Sequence, residues 1–229
     1  MLKKWEDLPE FMKLPEVRPY WESLNKKRGQ IALKRAFDVT AGTALLLLLC
    51  PPMAVIAIMI KKDSEGPVFY RQERVTTYGR HFKIHKFRTM VSNADKIGTA
   101  VTVGNDSRIT RVGSKLSGLR LDELPQLIDV IKGDMSFVGT RPEAVKYVEK
   151  YEPEYYATLL MPAGITSIAS IKYKDEDRLL NSAEDVDGVY VEKVLPEKMK
   201  WNLQALKSFS FAEDIAVMFK TVFAVLERE

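Results

Sequence analysis

The chain has 229 residues, 46% of them hydrophobic and 29% charged, with a formal net charge of +4. That balance excludes wholesale disorder and allows one domain of ordinary size, with appendages, around a real core. A single cysteine, Cys50, excludes an intrachain disulfide framework, and the mild positive excess suits phosphate-bearing ligands or an anionic membrane surface as well as nucleic acid.

Residues 1–33 mix Trp5, Phe11, Tyr20 and Trp21 with Lys26, Lys27 and Arg28. Aromatic rings beside cations suit the headgroup zone of a bilayer, so an interfacial segment is expected here. An arm folded back on the main domain is the alternative. Val39 to Ile60 then runs without a charge, and as a straight helix it would reach ~33 Å, about the depth of a bilayer core. Pro51 and Pro52 fall inside this run and leave the carbonyls of Leu47 and Leu48 without helical partners. Both flanks are basic, with Lys34 and Arg35 before and Lys61 and Lys62 after, and positive flanks prefer the cytoplasmic side. The expectation over residues 34–62 is a re-entrant membrane helix that enters one leaflet, breaks at Pro51-Pro52 and returns. A simple span and the core helix of a soluble protein are the competing readings. No secretory signal peptide is evident, so residues 63–229 are expected in the cytoplasm.

Within that region Gly66-Pro67 punctuates the chain, and Val68 to Gln72 reads as a strand. After Thr77-Tyr78-Gly79, the stretch His81 to His85 alternates polar and apolar, which predicts a β-hairpin. Leu124, Leu127, Ile128 and Ile131 recur at helical spacing and Gly133 stops the run. A last helix opens with Ser210 and Glu213 as a capping box. Its apolar face carries Ile215, Met218, Phe219, Val222, Phe223 and Leu226, a stripe that more often packs on a core than on a membrane.

The chemistry concentrates in Leu121-Asp122-Glu123-Leu124-Pro125-Gln126. Adjacent acids at a helix start have a structural explanation, since they complement the helix dipole. The surrounding segments, however, supply Lys86, Arg88, Arg108, Arg111, Lys115, Arg120 and Arg141. Paired carboxylates can hold Mg²⁺, one of them can attack phosphorus, and arginines can grip phosphate oxygens in forked geometry. Together these parts suit chemistry on a diphosphate.

Several strings resemble the bacterial sugar transferases, the monotopic polyprenyl-phosphate phosphoglycosyl transferases. They are Lys34-Arg35-Ala36-Phe37-Asp38, Gly66-Pro67-Val68-Phe69-Tyr70-Arg71-Gln72-Glu73-Arg74 and Lys86-Phe87-Arg88-Thr89-Met90. Asp106-Ser107-Arg108-Ile109-Thr110, the Asp122-Glu123 segment and Gly133 to Gly139 continue the same order. The resemblance implies an α+β, mostly helical fold: a re-entrant membrane helix, a short β-hairpin, and a cytoplasmic, helical catalytic domain with amphipathic interfacial helices. It implies a Mg²⁺-dependent enzyme of the bacterial inner membrane, with a UDP-sugar as donor and undecaprenyl or another polyprenyl phosphate as acceptor. Asp122 would attack the β-phosphorus, release UMP and carry the phosphosugar, with Glu123 assisting through the metal or as a base. Lys86, Arg88, Arg108, Arg120 and Arg141 would bind substrate. The lipid bilayer is the expected partner and nucleic acid is not; a homo-oligomer stays open.

Two positions depart from the family pattern. Ser117 stands where relatives commonly have an arginine, and Thr140-Arg141-Pro142 stands where many have Pro-Arg-Pro. Asp38, Gln72, Asp106 and Asp134 suit structural roles equally well. A hydrolase using the same acids with water as acceptor is the second function class. A non-catalytic basic protein docked on membrane or nucleic acid is the third, and it has no need of Asp122-Glu123.

Overall fold

The computed structural model of the protein describes residues 2–94, 106–173, 180, 183 and 185–226. Two short 3-10 turns and helix α1 (Arg18–Asn25) lead into helix α2 (Arg28–Asp63), which has 36 residues and spans ~54 Å. The N-terminal arm is folded back on the main domain. Leu8, Met12, Val17 and Leu24 bury themselves against Leu160, Leu203 and Phe209, and the Tyr20 hydroxyl donates to Glu154 at 2.6 Å. Thus the arm completes a core cluster, and α2 begins inside the stretch that sequence alone assigned to an interfacial segment.

One stripe of α2 packs on the domain along its whole length. Ile31, Lys34, Asp38 and Gly42 are buried before the prolines, and Met53, Ile56 and Ile60 after them. Leu46 and Leu49 pack on the domain between these two sets. Steps of three and four residues keep one face of a helix turned the same way. The helix also continues without interruption through Pro51 and Pro52, where a break was expected. Proline has a helix-compatible φ, both rings lie on the exposed face, and residues on either side of them pack on the domain. The opposite face is bare hydrocarbon, with Leu47 72% and Leu48 71% exposed, together with Val55, Ile58 and Met59. By length and composition α2 is able to cross a membrane.

The hairpin forms as expected from the alternation. Strand β1 (Phe69–Val75) pairs antiparallel with β2 (His81–Phe87), placing Phe69 opposite Phe87 and Val75 opposite His81. Helix α3 (Arg111–Gly118) is capped by Thr110, whose hydroxyl accepts from the Gly113 N–H. Helix α4 (Gln126–Lys132) ends where Gly133 takes the left-handed conformation at φ 85°. A parallel pair that sequence did not reveal follows, β3 (Met135–Val138) with β4 (Ala163–Thr166). Backbones touch just beyond it: a Cβ on Gly164 would fall 2.2 Å from the Gly139 nitrogen.

The Lys34 to Asp38 string clamps α2 to this framework. Lys34 donates to the Val138 carbonyl at 2.8 Å and pairs with Asp214 at 2.6 Å. Arg35 donates to the carbonyls of Val130 and Ile131 at the end of α4, where a cation also suits the dipole. Asp38 accepts from the Ser136 hydroxyl and the Phe137 N–H. The C-terminal helix (Phe211–Leu226) forms the Ser210 half of the expected box, with the Ser210 hydroxyl accepting from the Glu213 N–H, while the Glu213 carboxylate accepts from the Ser208 hydroxyl. Its apolar stripe divides. Met218 packs against the core beside Val217, which lies off the stripe; Ile215 is half-buried, Phe219, Val222 and Phe223 are exposed, and the side chain of Leu226 lies outside the described residues.

Candidate active site

Asp122 and Glu123 sit on a 3-10 turn (Leu121–Glu123) between α3 and α4, one step ahead of the helix start that the sequence suggested. Arg120 opens this turn in the left-handed region at φ 54°, a conformation that costs a non-glycine residue roughly 1 kcal/mol or more. The turn is held from below by α4. Asp129, on the buried face of that helix, accepts from the His85 N–H at 2.8 Å and meets His85 Nδ1 at 2.6 Å. This contact pins β2 against α4, and Lys86 is the next residue along β2.

Three of the five expected substrate-binding residues converge on the acids. Lys86 Nζ lies 3.5 Å from Asp122 Oδ2 and 3.1 Å from Glu123 Oε1. Arg141 donates to Glu123 Oε1 at 2.6 Å, delivered by the close crossing at Gly139 and Gly164. Arg120 is 3.9 Å from the same oxygen. Arg88 and Arg108 sit farther out. Arg88 is buried and its terminal nitrogens donate to the Ser64 and Glu65 carbonyls, just beyond the end of α2, while Nε has no partner among the described residues. Arg108 forms a forked pair with Asp106 and donates to the Ala94 carbonyl. Ser117 lies in the last turn of α3 and is exposed.

Burial acts on both acids and the outcome differs. At Asp122 desolvation pushes the carboxyl up, Lys86 pulls it down, and Glu123 pushes it further up, leaving it above its ordinary value. At Glu123 desolvation also pushes up, but Arg141 and Lys86 outweigh it and hold the carboxyl well below the usual range. Neighbouring carboxylates driven apart in this way are a frequent mark of acids with separate tasks. Lys86 is the strongest group lowering Asp122, so Lys86→Met should raise the Asp122 pKa further. A protonated carboxyl does not attack, so the acid limb of the pH–rate profile should move to higher pH. An unmoved limb in single-turnover assays would remove Asp122 from the rate-determining ionisation.

Two cavities border the acids and another borders the cations that hold them. A cavity of about 650 Å³ is lined by Tyr70, Gln72, Arg74, Lys86, Arg88, Arg108 and Asp122. A smaller one of about 170 Å³ shares Gln72, Arg74 and Lys86, and adds Gln126, Arg141, Glu143, Tyr147, Tyr190 and Lys198. The third, about 400 Å³, is an apolar trough between α2 and the C-terminal helix. Leu45, Leu49, Leu124, Leu127, Ile171 and Val222 line it, together with Arg120 and Glu123. Sequence reading missed the wall of the small cavity. Tyr190 donates to Glu143 at 2.8 Å, and Lys198 donates to the Tyr190 hydroxyl at 3.0 Å. Glu143 and Lys198 are 55 positions apart in the chain and nothing local marks either one.

The acids are also a fair donor set for Mg²⁺. No group of three or more acids, histidines or cysteines forms a metal cage among the described residues. Mg²⁺ is nevertheless commonly held by one or two carboxylates plus substrate phosphates and water. Two adjacent buried carboxylates, with Asp122 bordering the cationic cavity, match that requirement.

A carboxylate pair under converging cations, with a polar cavity at Asp122 and an apolar trough at Glu123, defines a site for an anionic ligand beside an apolar surface. The chain belongs to the bacterial sugar transferase family, whose sequence profile matches residues 29–228. It is 34% identical over 197 residues to the UDP-N-acetylgalactosamine-undecaprenyl-phosphate N-acetylgalactosaminephosphotransferase of Aeromonas hydrophila, covering 85% of this chain and 44% of that protein. It is 38% identical over 196 residues to the UDP-glucose:undecaprenyl-phosphate glucose-1-phosphate transferase of Escherichia coli (strain K12), covering 83% and 39%. With the exopolysaccharide production protein PSS of Rhizobium leguminosarum bv. phaseoli it shares 35% identity over 205 residues, covering 86% and 97%. The chain thus spans less than half of the first two relatives and nearly all of the third.

Proposed function

We propose that the chain transfers a sugar 1-phosphate from a UDP-sugar to undecaprenyl phosphate, or a similar polyprenyl phosphate, and releases UMP. This would be the first membrane step in making an exopolysaccharide or capsule. The observation that carries the reading is that Asp122 borders a polar, cationic cavity while its neighbour Glu123 borders an apolar trough. One site can then serve a water-soluble donor and a lipid acceptor in turn, and the relatives' names describe that pair of substrates.

The chemistry divides into two displacements at one phosphorus. An Asp122 carboxylate oxygen bonds to the β-phosphorus of the donor, the bond to the bridging oxygen breaks, and UMP departs with that electron pair. The phosphosugar now rests on Asp122 as an acyl phosphate. A phosphate oxygen of the polyprenyl phosphate then bonds to the same phosphorus, and Asp122 leaves as carboxylate. Lys86 and Arg141 face the oxygens on which charge develops. Glu123 is a weak base because its cationic neighbours stabilise the ionised form, so its role is to hold Arg141 and Lys86 in place and to share in binding Mg²⁺. When bound by Asp122 and Glu123, Mg²⁺ supplies charge neutralisation at the diphosphate.

The exposed apolar faces of α2 and the C-terminal helix would face lipid, with the domain on the cytoplasmic side. Because α2 touches the domain on both sides of Pro51-Pro52, its two ends would lie on one side of the membrane. Lys26→Cys and Glu65→Cys, each in a Cys50→Ser background, should both resist a membrane-impermeant thiol reagent in intact cells. Labelling of one of them alone from outside would establish a full span. The activity is tested with purified protein in lipid nanodiscs, a panel of UDP-sugars and undecaprenyl phosphate. UMP release with formation of a lipid-linked diphosphosugar is expected; continuous release without lipid product would establish a hydrolase.

A further inference from the structure

Gln126 is the first residue of α4, four positions after Asp122. It is 1% exposed, and neither its Oε1 nor its Nε2 has a hydrogen-bond partner among the described residues. Buried polar groups in folded proteins are nearly always paired, so an amide with both ends unmet among the described residues calls for a further partner, and the cavity beside it has room for one. Gln126 lies in the wall of the 170 Å³ cavity. Its neighbours there are already committed: Tyr190 to Glu143, Lys198 to Tyr190, and Tyr147 to Asp187. They form a fixed polar wall in which Gln126 holds the unmet donor and acceptor.

We propose that this small cavity is the subsite for the transferred sugar, and that the Gln126 amide hydrogen-bonds a ring hydroxyl of it. The inference rests on the donor being a UDP-sugar, as proposed above. In the displacement at phosphorus the attacking and leaving oxygens lie roughly in line, so UMP departs on the side away from Asp122 and the sugar hangs off that axis. Asp122 itself lines the 650 Å³ cavity, which has room for a nucleotide. The 170 Å³ cavity opens beside Lys86 and Arg141, next to the reacting phosphorus, and suits a single ring. A sugar taken from water needs partners for its hydroxyls, and this polar wall offers them. Uracil, on the far side of the diphosphate, would occupy the larger space.

The test uses the full chain in nanodiscs. UDP-glucose, UDP-galactose and their N-acetylamino counterparts first identify the accepted donor by UMP release. Forms of that donor lacking one sugar hydroxyl each (positions 3, 4 and 6, and position 2 where it bears a hydroxyl) are then assayed on the wild type, Gln126→Leu and Gln126→Glu, alongside UMP affinity. At least one deoxygenation should lower kcat/KM of the wild type by about tenfold or more, because a buried polar group left unpaired rejects the analogue. The same deoxygenation should change Gln126→Leu by less than about threefold, with UMP affinity preserved, since the two losses share one contact. Equal losses in both proteins would overturn the proposal, and so would a variant whose UMP affinity falls as far as its donor affinity. If neither variant folds, a wild type indifferent to every deoxygenation still overturns it. A wild type that releases UMP from no UDP-sugar sinks the transferase reading itself, an outcome separate from these.

Discussion

Asp122→Asn is expected to abolish both UMP release and the covalent phosphosugar adduct, lowering turnover by at least about a thousandfold. The amide has the shape of the carboxyl and lacks its nucleophilic oxygen. Rapid mixing of wild-type protein with the accepted UDP-sugar alone should give a burst of UMP and a protein heavier by one phosphosugar. The variant should show neither. Its stability should be unchanged or higher, because the wild-type carboxyl is buried and its ionisation is opposed by desolvation, and a neutral group avoids that cost. Activity lost together with a large drop in melting temperature would point to a structural role. Turnover within tenfold of wild type would remove Asp122 as the nucleophile.

Arg141→Ala should be the next most damaging change. It takes away the 2.6 Å partner of Glu123 and leaves a buried carboxylate short of charge. Arg141 is about a third exposed and Lys86 stays 3.1 Å from Glu123, so the loss of stability should fall short of the roughly 3–5 kcal/mol for breaking a fully buried pair, while a lost phosphate contact costs on the order of 2–4 kcal/mol in transition-state binding. We expect kcat/KM to fall by roughly 30- to 1,000-fold. Arg141→Lys should recover only part of this, since an ammonium lacks the planar fork. The double variant Arg141→Ala/Glu123→Gln separates the two contributions. Removing both charges should restore stability and leave kcat/KM low. Recovered activity would mean that Arg141 serves Glu123 alone and never meets substrate.

Arg88 shows how far a motif carries. Its string identifies the family, yet its terminal nitrogens bind backbone carbonyls just after α2. Arg108 likewise spends its guanidinium on Asp106. Cation count along a chain does not tell which cations a carboxylate two elements away will keep. The prolines teach the same point in reverse. They predict a break from local hydrogen bonding alone, and α2 passes through both because its packed stripe on the domain outweighs the lost donors. The N-terminal aromatics suited a headgroup zone or a folded-back arm, and the tertiary structure places Tyr20 in a core cluster.

What the sequence determined by itself was local or contiguous: the hairpin from its period-two alternation, the end of α4 from Gly133, the Ser210 cap, and the acid pair with its family. Each depends on neighbours within a few residues, where backbone sterics and side-chain period act directly. The tertiary structure alone decided which cations face the acids, and that β3 pairs in parallel with β4. It alone seated the orphan amide of Gln126 in a wall built with Glu143, Tyr190 and Lys198. Those relations join segments tens of residues apart. They are set by how α2, α4 and the C-terminal helix share one core, a packing outcome to which no short window of sequence has access.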